Sequence, residues 1–156
     1  MGIYFEIFEL LPVILPKVIT AALCGLIIGL DREFKQKAAG IRTFILISVG
    51  CCIFTSVSFL LADMGNSIDP TRIIAQIITG IGFLGAGAIF KAEDRVVGIT
   101  TASFIWSISA IGILAGVGMV IVPLTLTIGL LLTSLFFEKI ENYIKKKNEK
   151  SDNKDK

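Results

Sequence analysis

The sequence alternates long apolar runs with short polar segments, on the scale of membrane spans rather than of soluble helices or strands. Apolar stretches occupy residues 11–30, 41–62, 72–90, 97–119 and 121–137. Each approaches the roughly 20 helical residues that cross a bilayer. The pattern predicts an all-α polytopic membrane protein with five transmembrane helices. The first run is irregular: Lys17 interrupts it, and Pro12 and Pro16 precede its regular part. A lysine near a helix end can snorkel to the headgroups, so spanning is favoured over an interfacial path for residues 3–15. Asp69 and Pro70 have the chemistry of a helix cap and a first helical residue, which places the start of the third helix. Only a few residues around GVGMVIVP separate the last two runs, so these helices should form an antiparallel hairpin. The predicted organisation is a transmembrane domain at 1–137 and a polar tail at 138–156, a short helical continuation with too little apolar content to fold.

Charge adds an orientation. Of the 15 Lys and Arg residues, 13 fall in the DREFKQKAAGIR segment, the KAEDR loop or the tail. Lys17 and Arg72 are the exceptions. Basic short loops stay in the cytoplasm, so five spans with the N-terminus outside and the C-terminus in the cytoplasm bring all three basic segments to one side. Composition agrees: 54% of the 156 residues are hydrophobic, 18% are charged, and the mean hydropathy is +0.82. The N-terminus lacks the basic region and small-residue cleavage site of a signal peptide, so the first run is expected to remain. The net charge of +2 comes from segment ends and implies a lipid bilayer as partner, not a nucleic acid.

Catalytic and metal chemistry find little support. There is no histidine, the commonest general base and metal ligand. Cys24, Cys51 and Cys52 lie inside apolar runs without metal spacing and read as buried filler. The GIGFLG stretch at 80–85 matches G-x-G-x-x-G, but a dinucleotide turn needs a preceding strand, an amphipathic helix and an acidic residue about 20 positions on. Here about ten apolar or glycine residues lead straight to KAEDR. No enzyme, cofactor or metal site is expected.

The glycines fit helix packing instead, since helices in lipid associate through close backbone contact at small residues. Gly80 and Gly87 share a side of the third helix with Arg72, Gln76 and Phe83, whereas Gly82 and Gly85 point elsewhere, which suggests several close neighbours. Gly25 and Gly29 in the first helix, and Gly112 and Gly116 in the fourth, repeat the small-x-x-x-small spacing. Among polar residues, Asp69, Arg72 and Gln76 form either a site for a cation or headgroup at the outer mouth or a cap with a snorkelling arginine held by Asp69. Asp31, Arg32, Glu33, Arg42 and Thr43 flank the first loop, where mixed charges can pair and fix two helices or form a solvated basic loop. Thr100, Ser103 and Ser107 share one face of the fourth helix beside Trp106, with Ser109, Gly112 and Gly116 opposite. Such hydroxyls more often bond backbone or a neighbouring helix than line a pathway.

Taken together, GLIIGLDREFKQKAAGIRTFILISVG at 25–50, DPTRIIAQIITGIGFLGAGAIF at 69–90 and VVGITTASFIWSISAIGILAGVG at 96–118 resemble the MgtC/SapB family of bacterial inner-membrane proteins. The family pattern falls on Gly25, Gly29, Arg32, Glu33, Gly40, Arg42 and Thr43. In the third helix it falls on Arg72, Gln76, Gly80, Gly82, Phe83, Gly85, Ala86 and Gly87, and in the fourth on Gly98, Thr100, Thr101, Ala102 and Trp106. The resemblance implies a compact five-helix module without catalytic machinery that regulates other membrane proteins, the proton-driven ATP synthase among them, in magnesium limitation and survival inside host cells. Two departures stand out: the virulence-associated branch often adds a soluble C-terminal domain, absent from this short form, and tends to have Asn and Cys at Thr100 and Ser107. The expected role is regulation of another membrane complex in ion or magnesium homeostasis or stress adaptation. The alternative is a small oligomeric transporter or channel for an ion or small solute.

Overall fold

The computed structural model describes residues 2–63 and 69–152, with side chains described for 10–63 and 69–147. Five helices follow one another: α1 (Gly2–Phe34), α2 (Ile41–Asp63), α3 (Pro70–Gly87), α4 (Ile99–Val117) and α5 (Ile121–Asp152). α2 and α4 occupy the centre, α1 packs on both, α3 flanks α2 and α4, and α5 rests on α1 and α4. Phe44, Ile28, Ile108, Cys24, Phe104 and Ile105 fill the core between α1, α2 and α4. All three cysteines are free and buried.

Four helices are long and apolar enough to cross a membrane: Leu10–Phe34, Ile41–Asp63, Ile99–Val117 and Ile121–Lys147. α3 is not among them, because Arg72, Gln76 and four glycines dilute its apolar residues. α1 is assigned as one helix through Pro12 and Pro16. The Thr20 hydroxyl donates to the Pro16 carbonyl one turn back, at 2.8 Å, so it needs no partner outside its own helix.

Two features depart from the expected all-α pattern. The loop after α3 is a hairpin, β1 (Phe90–Ala92) against antiparallel β2 (Arg95–Val97), with Phe90 opposite Val97 and Ala92 opposite Arg95. Three-residue strands are too short to leave a period in the sequence. Glu93 turns the hairpin at a positive φ of 52°. Second, α5 continues as helix to Asp152, well beyond the short continuation expected. Propagating an existing helix costs far less than nucleating one, and residues 138–147 are mostly Glu, Lys and other tolerant residues.

Close approach of helices falls where two of the glycine pairs predict it. A Cβ on Gly25 would lie 2.6 Å from the Phe44 oxygen, and one on Gly29 would lie 2.7 Å from Ile41 Cα. On α4, a Cβ on Gly116 would lie 2.6 Å from the Cys52 oxygen, and one on Gly112 would strike the Ser48 carbonyl. α1 and α4 therefore each press a glycine pair into α2. α3 behaves otherwise: no atom comes within 4 Å of a Cβ on Gly80, Gly82 or Gly87, and Gly85 meets only Ala102, at 3.8 Å. The close neighbours expected around these α3 glycines are not found among the described residues, because α3 uses Ile81 and Gly85 as its buried positions and turns the others outward.

α4 ends in a Schellman turn: the N–H of Gly118, at φ 110°, donates to Ala115 O, and that of Met119 to Leu114 O. The neighbouring Gly116 carbonyl receives Lys17 Nζ and Ser56 Oγ, each at 3.1 Å. Lys17 thus places its charge at the negative end of the α4 dipole, rather than only snorkelling to headgroups.

Candidate functional site

The first-loop residues separate into a buried cluster and a cap. Arg32, in the last turn of α1, is only 2% exposed. Its Nε donates to Asp31 Oδ2 at 2.8 Å, Nη2 contacts the same oxygen, and Nη2 also donates to Ser134 Oγ of α5 at 3.1 Å. The guanidinium carbon lies 4.1 Å from the Phe104 ring centroid on α4, a cation–π arrangement. Lys35 stands 2.7 Å from Asp31 Oδ1 and contacts Glu138 on α5. Burial alone would lower the Lys35 ammonium, but the two carboxylates outweigh it and hold its pKa above the ordinary lysine value. Asp31 and Arg32 thereby join α1, α4 and α5. Of the mixed charges of this segment, Arg32 and Lys35 reach α5 and Glu33 reaches α2.

Glu33 serves α2. Its Oε2 accepts the Ile41 backbone N–H at 3.1 Å, satisfying one orphan donor at the helix start. Arg42 and Thr43 are exposed in the first turn of α2.

Beside the Arg32 cluster lies a polar cavity of about 460 Å³. Its walls include Arg32, Lys35, Thr101, Ser134 and Glu138, with Lys37, Glu141 and Lys145 around it. Thr100 joins this cavity, so the structure brings Thr100 and Arg32 together. Ser103 and Ser107 instead donate to Ile99 O and Ser103 O of their own helix, at 3.0 and 2.9 Å. Sequence reasoning named Thr101 only through the family pattern and missed Lys35, Phe104, Ser134 and Glu138. The i,i+4 spacing of Asp31 and Lys35 was a usable signal; the α5 partners left none.

At the opposite end, Asp69 caps α3 as the sequence predicts. Its Oδ1 accepts Thr71 N at 2.9 Å and Thr71 Oγ1 at 2.7 Å. The Thr71 hydroxyl, then its backbone N–H, holds the exposed Asp69 carboxyl below the usual carboxylate range. Among the described residues no ion pair links Arg72 to Asp69; the contact between them is the Arg72 N–H to the Asp69 carbonyl, at 3.2 Å. Arg72 and Gln76 are exposed. Gln76 lines a mainly apolar groove of about 520 Å³ between α2 and α3, with Gly50, Phe54, Gly80 and Leu84. Ala75, Thr79, Gly82 and Ala86 form an exposed stripe at 4-3-4 spacing along α3, beside Phe83, which is 81% exposed. Among the described residues no trio of Cys, Asp or Glu side chains is placed to hold a metal.

The sequence profile of the MgtC family matches residues 18–143. A protein of Haemophilus influenzae without an assigned function is 37% identical over 145 residues, covering 88% of this chain and 61% of its own length. Protein MgtC of Brucella abortus is 46% identical over 100 residues, covering 64% of this chain and 41% of its own length. Protein SapB of Bacillus subtilis is 42% identical over 113 residues, covering 69% and 49%. The chain thus spans only about half the length of these curated relatives. No solved structure matches it. The profile takes in the Arg32 cluster, α3 and the glycines of α1 and α4 alike, and by that match the chain belongs to the MgtC family.

Proposed function

We propose that this chain is a non-enzymatic protein of the bacterial inner membrane that acts by lateral contact of α3 with another membrane complex, in ion or magnesium homeostasis or stress adaptation. In this proposal α3 is the fifth span, about 27 Å long at 1.5 Å per residue, with the N-terminus outside and the C-terminus cytoplasmic. The basic residues of the first loop, the hairpin and the end of α5 then share the cytoplasmic side.

The observation that carries the proposal is the outward face of α3. A helix with only lipid as neighbour gains most from large apolar side chains, whereas Ala75, Thr79, Gly82 and Ala86 leave a shallow furrow. Small residues are what helix partners in membranes select. Among the described residues the furrow has no occupant at Gly82. The lack of histidine further supports action by contact rather than catalysis.

Purification of the full chain from membranes in mild detergent tests this. Wild type should bring down a discrete complex containing a second membrane protein. Gly82→Leu should be expressed and elute normally but lose that partner, since no neighbouring atom among the described residues comes within 4 Å of the added Cβ. Undiminished recovery of the partner with Gly82→Leu would reject the proposal.

The exposure of Arg72 and Gln76 on the same helix favours a second reading, an oligomeric transporter or channel in which α3 faces a shared path. Ion flux in proteoliposomes that changes on Arg72→Ala would select it. A contact regulator should show no flux.

A further inference from the structure

We infer that the cavity between α1, α4 and α5 is a binding site for a phosphate group. The cavity, of about 460 Å³, falls within the roughly 300–1,000 Å³ of small-molecule sites. Three kinds of donor reach it. Arg32 lines it while its side chain is 3% exposed; its Nε and Nη2 are engaged by Asp31 and Ser134, and among the described residues nothing accepts from Nη1. Thr101 lines it at 4% exposure. A hydroxyl in the cavity wall can donate to a ligand oxygen there.

The third donor set is the start of α4. Its N-cap, Gly98, offers no side chain to cap the helix and sits at φ 92°, where a Cβ would strike the Ala88 carbonyl. The position therefore excludes the Ser, Thr, Asp or Asn that would occupy the first N–H groups. Gly98, Thr100 and Thr101 all border the cavity, so the positive end of the α4 dipole faces it.

The charge balance selects an anion. Asp31 is spent on Arg32 and Lys35, and Glu138 on Lys35. Glu141 remains, opposed by Lys37 and Lys145 at the same cavity. The site keeps a net positive charge and supplies only donors at its buried wall, which suits phosphate oxygens and not a cation. Phe104, Leu130 and Phe137 form an apolar side. A membrane lipid and a free solute both present such a phosphate, and the chemistry recognised is the same.

The test uses the full chain, stripped of lipid in a zwitterionic detergent, with thermal stability as readout. One arm adds dioleoylphosphatidylglycerol or the matching diacylglycerol, which lacks the phosphate; the other adds sodium phosphate against sodium chloride at equal ionic strength. Thr101→Val and Lys145→Gln are the variants, one isosteric and one exposed, so both should fold. Stabilisation by phosphatidylglycerol alone assigns the site to a lipid, and stabilisation by inorganic phosphate assigns it to a solute. In either case each variant should need about tenfold more ligand. Equal response to phosphatidylglycerol and diacylglycerol together with no phosphate effect overturns the inference, as does a response undiminished in both variants.

Discussion

Replacing Gly116 by alanine tests whether the α2–α4 seam holds the fold together. The new Cβ would stand 2.6 Å from both the Cys52 oxygen and Thr55 Cβ, where ordinary contact is about 3.5–4.0 Å. α4 must therefore retreat by about 1 Å, and a gap of that size forfeits about a quarter to a half of each dispersion contact it opens. Overpacking of this kind costs about 1–3 kcal/mol. The retreat also stretches the Lys17 and Ser56 hydrogen bonds to the Gly116 carbonyl, worth about 0.5–1.5 kcal/mol each. Alanine returns at most about 1 kcal/mol of helix propensity. The balance is a loss of about 2 kcal/mol, or about 4–8 °C in Tm for a chain of this size. Gly82→Ala is the matched control, with the same propensity gain and no atom within 4 Å; it should melt at or slightly above the wild-type temperature. Thermal unfolding of the two purified variants in one detergent gives the comparison. Equal Tm values, or a Gly116→Ala protein as stable as wild type, would refute the seam.

Ser48 and Thr55 bury hydroxyls on α2 with no hydrogen-bond partner among the described residues, so Ser48→Ala should leave stability unchanged or raise it by up to about 1 kcal/mol; a loss beyond about 1 kcal/mol in the same melting assay would contradict this. At Asp69 the folded pKa is depressed, so its ionised carboxylate stabilises the start of α3 above the ordinary carboxylate pKa and that contribution is lost as pH falls through the folded value. The protection factor of amides in the first turn of α3, taken against the intrinsic exchange rate at each pH, should therefore fall on acidification in wild type and stay flat in Asp69→Asn, which keeps a capping oxygen; an equal fall in both would reject the assignment. Breaking the Asp31 cluster should loosen α5: Ser134→Ala removes one bond to a buried guanidinium, and hydrogen exchange should rise around Ser134 in α5 while α2 remains unchanged.

What could be read from the sequence depended on the range of the interaction. Hydropathy located every helix, because burial in lipid acts on each residue separately. Local rules located the Asp69 cap and the spacing of the α1 and α4 glycines. Partnerships between distant segments left no trace: nothing near Arg32 indicates Ser134, and nothing near Lys17 indicates Gly116. The α3 glycines show the same boundary from the other side. Small-residue spacing says that a surface permits close approach, as at Gly25 and at Gly82 alike, but only the fold tells which surface has already been used. Thr101 was legible only as part of a family pattern; its place at the cavity emerged once α4 was set against the Arg32 cluster.

The Lys17 contact has a consequence for biogenesis. The ammonium and the carbonyl that receives it are separated by 99 positions, so α1 emerges from the ribosome long before its counterpart exists. At about 5–20 residues per second of synthesis, the lysine waits on the order of 5–20 s without its native acceptor. During that interval α1 carries an unmet charge and has reason to stay shallow or beside the insertion machinery, and the arrival of α4 removes that reason. Deep seating of the first helix would then be a late event, timed by the fourth.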